Sequence, residues 1–340
     1  IKNNGNLALK YKIVISGIAG DAKLNEAIEW SYKLADGSDF SIAEEGHLLA
    51  GDSTGAITIS GHMKEDAGNE YKGLSIYGIG IIVYATQDTV EHDSTTDQYD
   101  ANAKYDTAAV TAAELAAVMT PDSNGNINLT KNYIVTGAWT PLNFSTVTIN
   151  GNGYTISGLD KPLVKTATNI TINDLSISNS SIVGTIDTEN GLGTAGFVSY
   201  LDTTTTATFK NCHLVNSSVI GNERAAGIVS YSSGATLVIE DCSVENCEIK
   251  AVGGAGGLVG YISAATTITN SSVKNTIVTA TEIRATGKKP VAGGIIGTIQ
   301  GAATFTDVTT TEVTVNNNCA IAAESELIGR IENGGSITIN

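Results

Sequence analysis

The sequence predicts an all-β chain in which an N-terminal, jelly-roll-like β-sandwich leads into a right-handed parallel β-helix, and three observations carry that expectation. First, a Gly-plus-aliphatic run recurs as Gly196-Phe197-Val198-Ser199-Tyr200, Gly227-Ile228-Val229-Ser230-Tyr231, Gly257-Leu258-Val259-Gly260-Tyr261 and Gly294-Ile295-Ile296-Gly297-Thr298. A weaker copy follows at Leu327-Ile328-Gly329. The four glycines are spaced by 31, 30 and 37 residues. A repeat of that size marks a solenoid, whose units bury their apolar faces only against their neighbours. Second, pairs of polar residues five positions apart recur alongside: Asp174 and Asn179, Asn211 and Asn216, Asp241 and Asn246, Asn270 and Asn275, then Asp307 and Glu312. Equivalent side chains on successive coils of a parallel β-helix lie about 4.8 Å apart. Asn179, Asn216, Asn246 and Asn275 therefore read as a structural ladder of hydrogen-bonded amides. Third, charge density drops near residue 105. Residues 1–105 hold 16 acidic and 8 basic side chains; residues 106–340 hold 19 and 11. The implied division is a sandwich over 1–105, a junction over 106–126 and the β-helix over 127–340.

Within the first region, residues 7–15 mix alternation with a buried run and residues 56–63 alternate cleanly, as strands do. Residues 74–85 are long enough for a central strand with a bulge at its glycines. Residues 24–34 read as a short helix or an irregular crossover. In the junction, residues 111–119 form an amphipathic helix. Thr111 at its N-cap and Glu114 make a capping box, and Pro121 and Gly125 end it. Such a helix covers the open end of a β-helix, where strand edges are otherwise unpaired. The first coils follow at Ile127-Asn128-Leu129 and at 146–156.

Bulk properties narrow the function classes. Apolar content of 41% is ample for a core, while 6% aromatics is low for a compact enzyme. A formal charge of −16 disfavours nucleic acid and anionic membrane surfaces as partners. The sequence has no apolar run of ~20 residues that would span a membrane. Cys212, Cys242, Cys247 and Cys319 form no CxxC pair. Cys212 and Cys242 share a column on successive coils. They read first as small buried residues, with a disulfide between them open if their coils touch and a metal site as a third alternative. The chain opens at Ile1 in mid-strand, and further sequence is expected before it.

No constellation points firmly to catalysis. A zinc protease needs two histidines one helical turn apart, as in HExxH; His47, His62, His92 and His213 contain no such pair. His47 and His62 have the alternative of meeting in space near Glu44, Glu45 or Glu91, but surface or turn histidines are the default. Asp88, Glu91, His92, Asp93, Asp97 and Asp100 make an oxygen-rich run that reads as a solvated acidic connection, with the five carboxylates as weak cation candidates. Polysaccharide-cleaving β-helices need clustered carboxylates on an outer face. Asp174, Asp241 and Asp307 are the repeated acids here, and they read more simply as turn residues. Arginines are few (Arg224, Arg284, Arg330), and Trp139 is the best aromatic candidate for a sugar, with a core or cap role ahead of it. No catalytic residue and no cofactor is expected.

Two resemblances add to this reading. Asn4-Gly5-Asn6-Leu7-Ala8-Leu9-Lys10-Tyr11, Gly61-His62-Met63 and residues 84–94, from Tyr84-Ala85-Thr86-Gln87-Asp88 to His92-Asp93-Ser94, resemble the camelysin/TasA-type family. That resemblance covers residues 1–105 and implies an exported jelly-roll protein that builds extracellular matrix fibres. In that family more strand sequence precedes the Asn-Gly block, so the sandwich is expected to be incomplete here, either because upstream strands have been removed or because the domain accepts a strand from another chain. The Gly-aliphatic repeats over 106–340 resemble bacterial surface proteins with GLUG repeats. Together they imply an extracellular, non-catalytic structural or adhesive protein of a biofilm matrix or cell surface. Its partners would be itself, through the N-terminal domain, or surface glycans and proteins. The alternative is an enzyme or binding module acting on polysaccharide.

Overall fold

The computed structural model describes all residues except 17–18, 21–23, 25–26, 43, 75, 78–79, 89–106, 185–192, 203–205, 282–290, 318–325 and 333. Two compact units are present, Ile1–Ala108 and Ala109–Asn340. Strand Thr107–Thr111 spans the boundary and pairs with the large sheet of the second unit.

Among the described residues every strand pairing of the first unit is antiparallel. Its longer strands are β1 (Leu9–Ser16), β2 (Ile28–Leu34), β3 (Gly46–Leu48), β4 (Ile57–Met63) and β5 (Gly80–Gln87). They form a three-stranded sheet in the order β3-β1-β5 and a β2-β4 pair, with a two-residue pairing of Ala19–Gly20 against Ile76–Tyr77. Tyr11, Ile13 and Leu48 make a small core, and Ile57 of β4 packs against it, so sheet and pair share one interior. Asn3 is a buried polar knot ahead of β1: its amide donates to the carbonyls of Leu7, Leu48 and Leu49, and its side-chain oxygen accepts from Gly5 N–H.

Two expectations are corrected here. Residues 28–34 are neither helix nor irregular crossover. Trp30 and Tyr32 recur with period two and pair across to Gly61 and Ile59, a strand pattern in which Trp30 lies over the space a side chain at 61 would fill. The 74–85 stretch pairs with residues 9–20 in a single register, through Ile76–Tyr77 and β5, with Gly78 outside the described residues; β5 is not central but lies at a sheet edge, with β1 as its one strand partner among the described residues.

The second unit is a parallel β-helix. One 19-stranded parallel-rich sheet wraps around it, joined by a five-stranded parallel sheet (181–183, 218–221, 248–251, 277–280, 314–317) and a four-stranded one (194–195, 224–226, 254–256, 291–293). The Gly-aliphatic segments stack in register, Val198 on Val229, Val229 on Val259, Val259 on Ile296 and Ile296 on Ile328. Inside, Phe197, Ile228, Leu258 and Ile295 are fully buried on successive coils; each such side chain contributes about 1.5–3 kcal/mol through burial. The glycine is imposed by the coil above: a Cβ on Gly257 would sit 2.0 Å from the carbonyl oxygen of Gly294. A Cβ on Gly297 would likewise sit 2.6 and 2.7 Å from the carbonyl oxygens of Gly260 and Ala255.

At the N-terminal end, α1 (Ala112–Val118) carries both halves of its capping box. The Thr111 hydroxyl accepts from Glu114 N–H at 3.3 Å, and the Glu114 carboxylate accepts from Thr111 N–H at 2.7 Å. Leu115 is buried under it and the helix packs against strand Asn132–Thr136, part of the first coil.

The polar columns are the corners of the solenoid. Asp174, Asn179, Asn211, Asn216, Asp241, Asn246, Asn270, Asn275, Asp307 and Glu312 all have φ between 44° and 55°. This left-handed conformation costs most L-residues about 1–2 kcal/mol and is tolerated best by Gly, Asn and Asp. The residue after each corner turns inward. Ser180, Ser217, Ser271 and Thr276 donate back to the carbonyl two residues earlier, at 2.7 to 2.8 Å. All four hydroxyls also accept a backbone N–H from the coil below: Ser180 from Leu159, Ser217 from Ser180, Ser271 from Cys242 and Thr276 from Cys247. The corner is thus set by backbone conformation and sealed by a buried hydroxyl.

Asn246 separates backbone conformation from amide pairing. Asn246→Leu is expected to lower stability by about 1–2 kcal/mol, whereas Asn246→Gly, which loses the amide but keeps the left-handed turn, stays close to neutral. Urea unfolding of the two variants checks this. Equal losses would place the cost in the amide instead.

Candidate functional site

The four ladder asparagines lie at successive corners. Asn246 donates to the Asn216 side-chain oxygen and Asn275 to that of Asn246, both at 3.2 Å and both on the exposed surface. Asn179 donates instead to Ser178 Oγ at 3.4 Å. A second ladder, missed in the sequence, runs through the first coils: Asn150 donates to Asn128 at 2.9 Å and Asn173 to Asn150 at 3.3 Å. The repeated acids are corner residues as well, and Asp174 accepts from the Asn211 amide at 2.8 Å.

Cys212, Cys242 and Cys247 occupy the inward position after a corner, where other coils carry Ser, Thr, Leu or Val. They are free thiols, so the Cys212–Cys242 disulfide alternative is set aside. Each sulfur instead faces the carbonyl two residues back: Cys212 to Lys210 at 3.4 Å, Cys242 to Glu240 at 3.2 Å and Cys247 to Glu245 at 3.1 Å. Burial pushes the Cys212 thiol well up, and the Cys247 thiol up to about 12. Cys319 lies outside the described residues. His213 follows Cys212 on the same strand and points the other way, bonding Ser243 and Asn211 at 2.8 and 2.9 Å. Burial lowers its pKa against the pull of Asp241 and Glu245.

His47 and His62 are not brought to one site. His47 Nδ1 is 2.6 Å from the buried Asp88 carboxylate, with Glu45 at 4.0 Å from Nε2. His62 pairs with Glu29 at 3.0 Å on the other sheet. Asp88 is therefore a partner of His47. The remaining cation candidates, Glu91, Asp93, Asp97 and Asp100, lie outside the described residues, as does His92. Among the described residues no three His, Cys, Asp or Glu side chains come together as a metal site.

The most distinctive surface lies on the β-helix. Tyr200, Tyr231 and Tyr261 occupy one register position on successive coils. Their rings stand 5.4 and 4.8 Å apart between centroids, the first pair stacked and the second tilted by 52°. The Arg224 guanidinium carbon lies 4.4 Å from the Tyr231 ring centre and 4.9 Å from that of Tyr261, within cation–π range. The Tyr261 hydroxyl bonds the Gln300 side-chain oxygen. Burial and the neighbouring Tyr231 raise the Tyr261 pKa, with Arg224 opposing. The column continues through Thr298 to Arg330, which bridges Glu332 at 2.8 Å. In the other direction it reaches Thr166.

Beside that lower end opens a cleft of about 410 Å³ whose lining includes Trp139, Pro141, Lys161, Lys165, Thr194 and Ser199. The indole N–H of Trp139 donates to the carbonyls of Pro162 and Leu163 at 3.0 and 3.3 Å, so this buried ring anchors the wall of the cleft. The tyrosines were visible as the fifth residue of three repeats. What singles them out is Arg224, which precedes the Gly run and folds back over it. The repeat also extends below its recognised copies, since Val164 stacks on Val198 and Leu142 on Val164, with Pro162 in place of glycine.

No protein-family model and no curated protein matches the chain. Among solved structures it is similar to one described as "a putative immunoglobulin A1 protease from Bacteroides ovatus", at 14% identity and a TM-score of 0.40, over 68% of this chain and 84% of that one. A likeness of that size bears on neither chemistry nor partner.

The buried thiols make stability depend on pH. An ordinary thiol ionises near 9.0 in the unfolded chain, but Cys247 holds its proton to about 12 when folded. Its contribution is fully present below the unfolded value and is lost as pH rises through the folded one. The urea midpoint of the wild type is expected to fall more steeply between about pH 9 and 11 than that of Cys247→Ser, which keeps the carbonyl bond and does not ionise there. Parallel curves would contradict this.

Proposed function

We propose that this chain is an extracellular, cell-surface or matrix protein, structural and adhesive rather than catalytic. The observation that carries the reading is repetition at the surface. The outward positions of the β-helix are occupied coil after coil by corner residues, amide pairs and stacked tyrosines, which rigidify a rod and present the same chemistry at each rung. Catalysis calls for one unrepeated cluster of groups. The resemblance of residues 1–105 to camelysin/TasA-type proteins and of the repeats to GLUG-bearing surface proteins points the same way. No helix among the described residues is long and apolar enough to cross a membrane.

Self-association through the first unit belongs to this proposal. Strand β5 is eight residues long, has one partner among the described residues, and exposes Ile81 and Val83 at 53% and 44%. A long edge strand with apolar side chains is a template for strand addition, and a heterologous contact of that kind builds filaments.

Antibody against the β-helix is expected to label intact cells; label that enters only after lysis would overturn the surface assignment. In purified full-length protein, wild type is expected to assemble with rising concentration by size exclusion and electron microscopy, and Val83→Lys to remain monomeric. Identical behaviour of the two removes β5 as the assembly edge.

A further inference from the structure

We infer that the threonine face of the β-helix binds ice, the ordered lattice of frozen water. The inference rests on the reading above for its extracellular setting, and it names a partner for the rod.

Six threonines, Thr148, Thr171, Thr208, Thr267, Thr304 and Thr338, follow one another as register partners up the large sheet, with Val238 in the one remaining place. The residues on either side of them, such as Val147 and Ile149 or Ile170 and Ile172, are buried in the core, so alternation turns this column outward. Strand propensity favours threonine at an exposed sheet position, but it does not hold a column to one residue type. Two residues further on, the next outward column runs Asn150, Asn173, Lys210, Glu240, Thr269 and Thr306 under the same pairing. What the threonine column keeps is a shape, since valine has the same branched outline without the hydroxyl.

Branched side chains are stiff about their first torsion, so the column is a rigid row of methyls and hydroxyls. Among the described residues none of the six hydroxyls has a hydrogen-bond partner, unlike the corner hydroxyls of Ser217, Ser271 and Thr276. Each can donate to and accept from water.

The row is also a grid. Successive coils are about 4.8 Å apart, and outward residues on one strand are two rises, about 6.6 Å, apart. Four coils carry threonine at two such points: Thr146 and Thr148, Thr206 and Thr208, Thr267 and Thr269, Thr304 and Thr306. Both spacings are close to the oxygen repeats on the prism faces of hexagonal ice. Water bonded to this grid is placed as the lattice requires, and the rod holds the spacing without reorganising.

Charge points to a neutral solid. The chain carries a formal charge of −16, yet the threonine column has no charged member. On its flank Lys210 and Glu240 pair at 3.0 Å, and Asp174, Asp241 and Asp307 stand beyond them at the corner. Neither column presents an aromatic ring to stack on a sugar, which places ice ahead of a crystalline polysaccharide.

The test uses the full chain and slowly grown ice as the probe, with protein in the ice and liquid fractions measured by gel. Wild type is expected to be taken up into the ice and to shape growing crystals in a nanolitre osmometer. Thr267→Tyr and Thr171→Lys, which interrupt the row on two different coils, are expected to remain in the liquid. Lys274→Gln, in another column, is taken up like wild type. Thermal midpoints confirm that each variant is folded. Exclusion of wild type from ice, or uptake of both threonine variants as complete as that of wild type, would overturn the inference. Adsorption to crystalline cellulose with exclusion from ice would overturn it in favour of a polysaccharide surface. Surface labelling and assembly through β5 use none of these residues, so failure here leaves the adhesive reading to its own tests.

Discussion

Everything in the second unit depends on backbone pairing between coils that repeat at the spacing of a parallel sheet. Successive coils are about 4.8 Å apart, and each coil must place its strands within reach of the same strands above and below. That constraint converts sequence periodicity into columns. Where the backbone of one coil approaches the next most closely, nothing larger than glycine fits, as at Gly257 under Gly294. Where the chain turns, the corner takes a left-handed φ, and Asn or Asp recur. Where the chain turns inward after a corner, a hydroxyl or thiol completes the carbonyl it passes. The aliphatic residues then fill an interior defined by these positions.

The same constraint shapes the surface. A side chain that faces outward on one coil lies beside its equivalents on the next, so identical residues interact along the axis, by amide pairing at Asn216, Asn246 and Asn275 or by ring stacking at Tyr200, Tyr231 and Tyr261. Corner amides are exposed and add little beyond the turn they permit. The tyrosine row differs, because the pairing tolerates Thr and Arg in its place and because Arg224 is drawn onto it from another sheet.

Much of this was legible in the sequence, for identifiable reasons. The solenoid was readable because glycine cannot be replaced where coils touch. The helix at 112–118 was readable because its capping box is local. The Asn and Asp columns were readable as positions, although their cause is backbone conformation before amide pairing. The coils at Leu142 and Val164 escaped because Pro162 stands where later coils have glycine. Strand β2 escaped because a period of two in Trp30 and Tyr32 is short enough to be taken for an irregular segment. The His47–Asp88 contact and the fold-back of Arg224 join residues far apart in the chain and have no local signal.

In-register stacking is the central claim, and paired spin labels test it most directly. Lys250 and Thr279 are register partners on the five-stranded sheet, Lys250 exposed and Thr279 half-buried. Nitroxides at cysteines introduced there would lie one rung apart, about 4.8 Å between backbones. The account predicts strong dipolar broadening of the doubly labelled protein, absent in either single label. A double-label spectrum equal to the sum of the singles would contradict it.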